Sequence, residues 1–325
     1  MKGSSDLNTR VIRSSVDWSS AGLTLESMLA GRFTYRSIEE WRERIASGEI
    51  TLNDRIVPPE TLLQLHDIVE YRPADIPEPP ADLNYRIVFE DDTLLVVDKP
   101  GNLCVHPSGP FFKNTLWHLL TRRFGSIHLI NRLDRETSGL MLAAKDAKTA
   151  ALLSRGDRSI RKEYRVIVHG CFDREMLAEG FLISDTASAV RKKRRFVAGD
   201  RPPAGAAQIE RCSTRLFPVR SGRDFSLVGA ELGTGRMHQI RATMFSLGFP
   251  VVGDKLYGPD EQCFLKLRSN ALTDEDRANL RISRQALHAA VLEMRHPVTA
   301  AVMRWESPLP PELESCLSWI SPQEH

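Results

Sequence analysis

Arg132-Leu133-Asp134-Arg135 sets one carboxylate between two arginines. The next four residues, Glu136-Thr137-Ser138-Gly139, are polar and turn-prone: their hydroxyls can close a local turn, and glycine tolerates positive φ. Leu140–Ala144 is then apolar and long enough for one buried strand. A carboxylate on a loop that feeds into the core can be kept ionised by neighbouring cations. It can then serve as nucleophile, base or electrostatic stabiliser. The competing reading is a surface ion cluster capping a strand.

A distant stretch bears on that choice. Thr234 can cap a helix beginning near Gly235, and Gly248 can end it. Met237, Ile240, Met244 and Leu247 fall on one face at the spacing of a buried stripe, and Arg241 shares that face. A guanidinium directed into a core needs an acid, and Asp134 is the candidate partner. Otherwise Arg241 snorkels to solvent.

The elements around these residues are readable from pattern. Tyr85–Phe89 and Leu94–Val97 flank Glu90-Asp91-Asp92 as a hairpin, and Thr115–Phe124 reads as a helix with Leu116, Leu119, Leu120 and Phe124 inward. Asp146 can cap a helix running to about Ser154. Lys162–His169 alternates as a strand with Tyr164, Val166 and Val168 on one face, so on pattern alone Tyr164 is a core aromatic. Phe225–Leu232 leads as a strand into the Arg241 helix. Ala286–Met294 and Ala301–Glu306 form two more strands joined at His296-Pro297, and Pro311–Ile320 suggests a last short helix. Residues 259–284 receive no assignment. Without regular βαβ alternation, the expected class is α+β: a mixed, largely antiparallel sheet with flanking helices.

Ahead of this, residues 18–71 read as a small α+β module. Ser37-Ile38-Glu39-Glu40 is a capping box, Ile38, Trp41 and Ile45 share a face, and Gly48 stops the helix. Ile50–Leu52 and Arg55–Val57 flank Asn53-Asp54 as a hairpin, and Asp67–Tyr71 adds a strand. The module holds five Lys/Arg against nine Asp/Glu, a net −4. Residues 72–84 contain Pro73, Pro77, Pro79 and Pro80 and read as a semi-rigid connector. The expected organisation is a tail over 1–17, the module over 18–71, a linker over 72–84 and one large domain over 85–325.

Hydrophobic content of 42% and charged content of 26% are those of a soluble globular chain. No leader-like or membrane-spanning apolar run occurs. Five scattered cysteines without a C-x-x-C pair suit a reducing cytoplasm, and no two of the nine histidines stand four apart, so no metal site is expected. A net charge of +2 leaves any nucleic-acid surface to local clusters. The densest is Arg191-Lys192-Lys193-Arg194-Arg195, with no acid from Ala187 to Ala198. Such a run is either a solvated loop or a phosphate-backbone contact.

Arg132-Leu133-Asp134-Arg135-Glu136-Thr137-Ser138-Gly139-Leu140 resembles the signature of the RluA family of RNA pseudouridine synthases. Thr234-Gly235-Arg236-Met237-His238-Gln239-Ile240-Arg241 resembles its later motif. Asp98–Pro107, Lys162-Glu163-Tyr164 and Pro250–Gly258 also match in the family's order, and the similarity runs from Tyr85 to Leu313. Residues 18–71 resemble the S4-like (αL) RNA-binding module. The resemblance implies the pseudouridine synthase fold and isomerisation of uridine in structured RNA, ribosomal RNA first and transfer RNA next, by a cytoplasmic monomer without cofactor or metal. It implies Asp134 as the catalytic carboxylate, Arg241 as its partner, Tyr164 stacked on the base and Arg132 in support. Arg191, Lys192, Lys193, Arg194, Arg195, Arg236, His238 and Gln239 would contact RNA. Two positions depart from the family pattern: Asn131 and Thr243 stand where histidines are usual. The alternative from another class is a non-catalytic RNA-binding or ribosome-assembly protein on a synthase scaffold.

Overall fold

The computed structural model describes residues 10–33, 36–73, 77–155, 160–269 and 271–321. It divides into two compact units. The first comprises the described residues up to Pro79 together with Gly109–Lys113, and the second comprises Pro80–Ser108 and the chain from Asn114 onward.

The first unit runs β1 (Ile12–Ser15), α1 (Leu25–Arg32), α2 (Ile38–Ala46), β2 (Ile50–Leu52) and β3 (Ile68–Tyr71), with strand order β1-β3-β2. The Ser37/Glu40 capping box is formed, and Trp41 from α2 meets Tyr71 of β3 edge-on at 5.4 Å within a core that includes Leu25, Leu29, Ile45 and Ile50. Three expectations are corrected here. The unit begins before Trp18, because Ile12–Ser15 supplies an edge strand to β3; residues 1–9 of the expected tail lie outside the described ones. Arg55–Val57 is not a strand: Asn53 and Asp54 turn with positive φ, only a Leu52–Arg55 bridge follows, and Ile56 stays 66% exposed. Pro58-Pro59 directly after it removes two ladder donors. Gly109–Lys113 groups with this unit rather than with the large domain, since Glu78 accepts the N–H groups of Phe112 (2.9 Å) and Lys113 (2.6 Å). Of the proline-rich connector, residues 74–76 lie outside the described ones.

The second unit is built on an eleven-stranded sheet. Its strands are β4 (Arg86–Glu90), β5 (Leu94–Lys99), β6 (His128–Leu129), β7 (Ser138–Ala144), β8 (Arg161–His169), β9 (Met176–Ser184), β10 (Arg194–Ala198), β11 (Glu210–Arg220), β12 (Phe225–Leu232), β13 (Leu287–Arg295) and β14 (Val302–Glu306). The order is β10-β9-β11-β12-β8-β13-β7-β5-β4, with β14 beside β13 and β6 beside β7. All pairings are antiparallel except β7 with β13. The helices are α3 (Leu116–Phe124), α4 (Ala147–Arg155), α5 (Gln239–Ser246), α6 (Gln262–Arg268), α7 (Asp274–Leu280) and α8 (Pro311–Ser315). The class is the expected α+β, and the unassigned stretch after Pro259 holds α6 and α7.

β7 is buried at every residue: it is an inner strand between β13 and β5, with apolar cover on both faces. Its parallel contact with β13 explains Gly139. That residue has φ 110°, and a Cβ there would fall 2.2 Å from the Ala289 carbonyl oxygen. The backbone approach permitted by glycine brings β13 beside the Asp134 loop.

Candidate active site

The loop that carries Asp134 is tied down residue by residue. Asn131 Oδ1 accepts the Leu142 N–H at 2.8 Å, and the Asp134 carbonyl accepts Thr137 N–H at 3.1 Å. The Arg135 carbonyl accepts from Leu103 N–H (3.1 Å) and from Nζ of Lys99 (3.2 Å). Lys99 is fully buried and also donates to the carbonyls of Pro100 and Leu103; burial, reinforced by Arg284, lowers its pKa to about 7. Glu136 pairs with Lys255 at 2.9 Å, and its carbonyl accepts from Arg284. Thr137 Oγ1 accepts from Gln285 at 2.6 Å. The Ser138 hydroxyl binds His288 (2.9 Å) and Arg284 (3.1 Å) instead of closing the local turn expected from Thr-Ser-Gly. These anchors leave the loop little conformational freedom.

Asp134 projects from this loop into a cleft of ≈ 250 Å³ whose lining includes Arg132, Lys162, Tyr164, Arg236, His238 and Arg241. Among the described residues it is the one carboxylate in that lining. Arg241 Nη1 donates to its Oδ2 at 2.8 Å, so the ion pair expected across 107 positions is formed. Arg241 also reaches a second acid. Its Nε and Nη2 grip Asp254 at 2.6 and 2.8 Å, and Asp254 Oδ1 accepts the N–H groups of Leu256 and Tyr257, both at 2.9 Å. Asp254 is wholly buried, whereas Asp134 keeps 25% of its side chain exposed. The guanidinium fork is thus oriented from behind by a buried acid and presents its remaining edge to the acid in the cleft.

One cation between two carboxylates leaves this trio with one net negative charge. Burial would raise the Asp134 pKa, but the Arg241 charge, with help from His238 and Gln285, holds it down at about 2. The carboxylate is ionised at neutral pH. Burial and Arg241 push His238 to about 4, so its imidazole is neutral.

The other expected residues separate by burial and by partner. Tyr164, on β8 opposite Ala230 and Ala289, is 5% exposed: its ring belongs to the core and edges the cleft. Arg132 and Arg236 are exposed at the cleft and can meet phosphate. Gln239 and Lys193 do not fit the RNA-contact expectation. The buried Gln239 amide binds Thr234 Oγ1, Arg236 N–H, the Ser213 carbonyl and Thr214 Oγ1, which fastens the turn before α5. That turn moves the helix start from Gly235 to Gln239, with His238 at the N-cap, so Thr234 ties to Gln239 and does not cap the helix. Lys193 is 6% exposed, salt-bridged to Glu261 at 2.7 Å and seated over the Phe245 ring. Arg194 contacts Ser184 and Gln208, leaving Arg191, Lys192 and Arg195 exposed. Thr243 is fully buried in α5.

Pattern reading missed Asp254, Tyr257 and Gln285. For Asp254 a signal existed: a carboxylate following Val251-Val252 and preceding Leu256-Tyr257 sits in an apolar run and needs a buried cation.

Comparison with known proteins bears on the chemistry. Residues 93–246 match the family model described as RNA pseudouridylate synthase. The chain is 31% identical over 330 residues to ribosomal large subunit pseudouridine synthase D of Xanthomonas campestris, covering 98% of this chain and 95% of that one. It is 29% identical over 316 residues to the protein of the same name from Haemophilus influenzae, covering 91% of each. Among solved structures, human RNA pseudouridylate synthase domain containing 1 aligns with a TM-score of 0.56 at 24% identity over 74% of this chain and 90% of that one, a likeness of fold. A single ionised carboxylate in a cationic cleft and a full-length relationship at this identity agree: the chain belongs to the RluA family of RNA pseudouridine synthases, isomerases that convert uridine in RNA to pseudouridine.

Proposed function

We propose that this enzyme modifies uridine in ribosomal RNA of the large subunit, with Asp134 as the catalytic carboxylate. The relatives' names supply the RNA, with transfer RNA as the second candidate. The observation that carries the residue assignment is that Asp134 is the one carboxylate lining the cleft among the described residues and is held ionised by Arg241. A two-carboxylate hydrolase is disfavoured because Glu136, the nearest acid in sequence, is engaged by Lys255 and by the Gln285 N–H.

In the reaction, the N1–C1′ bond breaks, the uracil turns, C5 bonds to C1′, and the C5 proton leaves while N1 gains one. Positive charge builds on the sugar as the glycosidic bond opens, and the net negative charge of the Asp134–Arg241–Asp254 trio stabilises it. Asp134 acts as nucleophile at C1′ or as base toward the sugar; both uses need the ionised form. Tyr164 stacks on the extruded base, and Arg132, Lys162 and Arg236 hold the flanking backbone, offsetting an unstacking cost of about a few kcal/mol. The first unit acts as an S4-like RNA-binding module ahead of the catalytic domain, and the protein works as a cytoplasmic monomer. Among the described residues, no helix is long and apolar enough to cross a membrane.

Asp134→Asn should abolish tritium release from RNA carrying 5-tritiated uridine while leaving the fold intact; turnover near wild type would remove Asp134 from the mechanism. Pseudouridine mapping in a deletion strain should show a missing modification in large-subunit RNA. Loss confined to transfer RNA would reassign the substrate.

A further inference from the structure

His238 occupies the turn into α5 with a left-handed backbone, φ 57°, a conformation in which histidine is enriched relative to most side chains. Its ring meets Tyr257 edge-on, with centroids 5.6 Å apart and planes at 82°. The Tyr257 hydroxyl accepts the backbone N–H of Arg194 at 2.9 Å and lies 3.1 Å from His238 Nδ1. A phenol has one proton to give. Among the described residues Nδ1 is the one acceptor within reach of that proton, and a buried hydroxyl proton needs a partner, so the phenol is assigned as donor and Nδ1 as acceptor. A neutral imidazole then carries its own hydrogen on Nε2. That nitrogen lies 3.9 Å from Oδ1 of Asp134, about 1 Å beyond hydrogen-bond distance. Arg241 holds the other oxygen, Oδ2.

The main chain at the start of β10 thus sets which nitrogen of His238 faces the reacting carboxylate. Charged neighbours act on the ring from several sides: Arg241 and Arg132 oppose its protonation, while Asp134 and Asp254 favour it. A neutral donor can orient a carboxylate without adding a second cation beside a sugar that is itself becoming positive.

We infer that His238 is a positioning residue for the isomerisation: its Nε2–H, fixed by Tyr257, closes the 3.9 Å to Oδ1 of Asp134 when RNA is bound and orients that oxygen toward the ribose. The inference rests on Asp134 being the reacting carboxylate. The test is single-turnover tritium release, with RNA affinity measured in parallel. His238→Phe keeps a ring against Tyr257 but has no donor, and His238→Gln offers an amide N–H at similar reach. Both carry the same left-handed backbone, so their comparison cancels that strain. His238→Phe should slow the chemical step about 10- to 100-fold with RNA affinity within about twofold. His238→Gln should recover to within about tenfold of wild type, and Tyr257→Phe, which releases the tautomer, should fall between. A His238→Phe rate equal to wild type, a His238→Gln no faster than His238→Phe, or a loss residing wholly in RNA affinity would overturn the assignment. If His238→Phe does not fold, His238→Gln and Tyr257→Phe carry the test: Gln slower than Tyr257→Phe overturns it. Asp134→Asn is run alongside. An active Asp134→Asn breaks the underlying reading, whereas an inactive one beside a fully active His238→Phe breaks only this inference.

Discussion

Arg241→Met tests the charge arrangement most directly. The guanidinium makes two hydrogen bonds to Asp254 and one to Asp134. Removing it leaves Asp254, which has no exposed surface, with the N–H groups of Leu256 and Tyr257 as its only donors among the described residues. Breaking a buried pair from one side costs roughly 3–5 kcal/mol, because the remaining charge is uncompensated. Asp134 contributes less to that loss: it shares a single bond, and its 25% exposure lets water screen it. The expected coupling with Arg241 is therefore about 3 kcal/mol for Asp254 and about 1–2 kcal/mol for Asp134. Double-mutant cycles combining Arg241→Met with Asp254→Asn and with Asp134→Asn, read from urea unfolding of the catalytic unit separately from the smaller unit, measure both. Coupling to Asp134 near zero, or equal to that for Asp254, would refute the picture of one arginine anchored by a fully buried acid and offered to a part-buried one.

Two other expectations concern charge. Replacing Arg191, Lys192 and Arg195 by Ala should weaken RNA binding and flatten its salt dependence, while Lys193→Ala should instead lower stability, because its Nζ is bound to Glu261 over the Phe245 ring. Titration of RNA affinity against salt, with thermal unfolding beside it, separates the two; identical behaviour of Lys193 and its neighbours would contradict the burial argument. For pH, Asp134 is ionised above about 2 and His238 is neutral above about 4, so the chemical step should show no acid limb between about pH 5.5 and 7. Asp134 has its folded pKa below the unperturbed 3.8, so its stabilising contribution is complete above that value and is lost as pH falls toward 2. A rate that halves near the ordinary histidine pKa would show that His238 titrates normally.

Much of this protein was legible before its structure. The α+β class, a polar loop from Arg132 entering a buried strand and the inward face of Arg241 all follow from local rules, although the strand begins at Ser138 and takes in the last two residues read as loop. Apolar spacing selects helix or strand, and an arginine on a buried stripe demands an acid. Those rules act within a few residues, so they work wherever the answer is local. What they could not supply is which groups meet after folding. That Asp254 stands behind Arg241, that Lys193 turns away from the rest of its basic run, and that Gln239 fastens a turn and does not face RNA are decided by tertiary packing. A charged side chain reads the same in sequence whether its partner is water or a buried acid. Burial separates those cases, and burial is set by strands distant in sequence: Gly139 against Ala289 on β13 and Tyr257 against the backbone of Arg194. The sequence by itself determined the elements and the need for an ion pair; only the assembled sheet decided its geometry, because close packing assigns each buried polar group its partner.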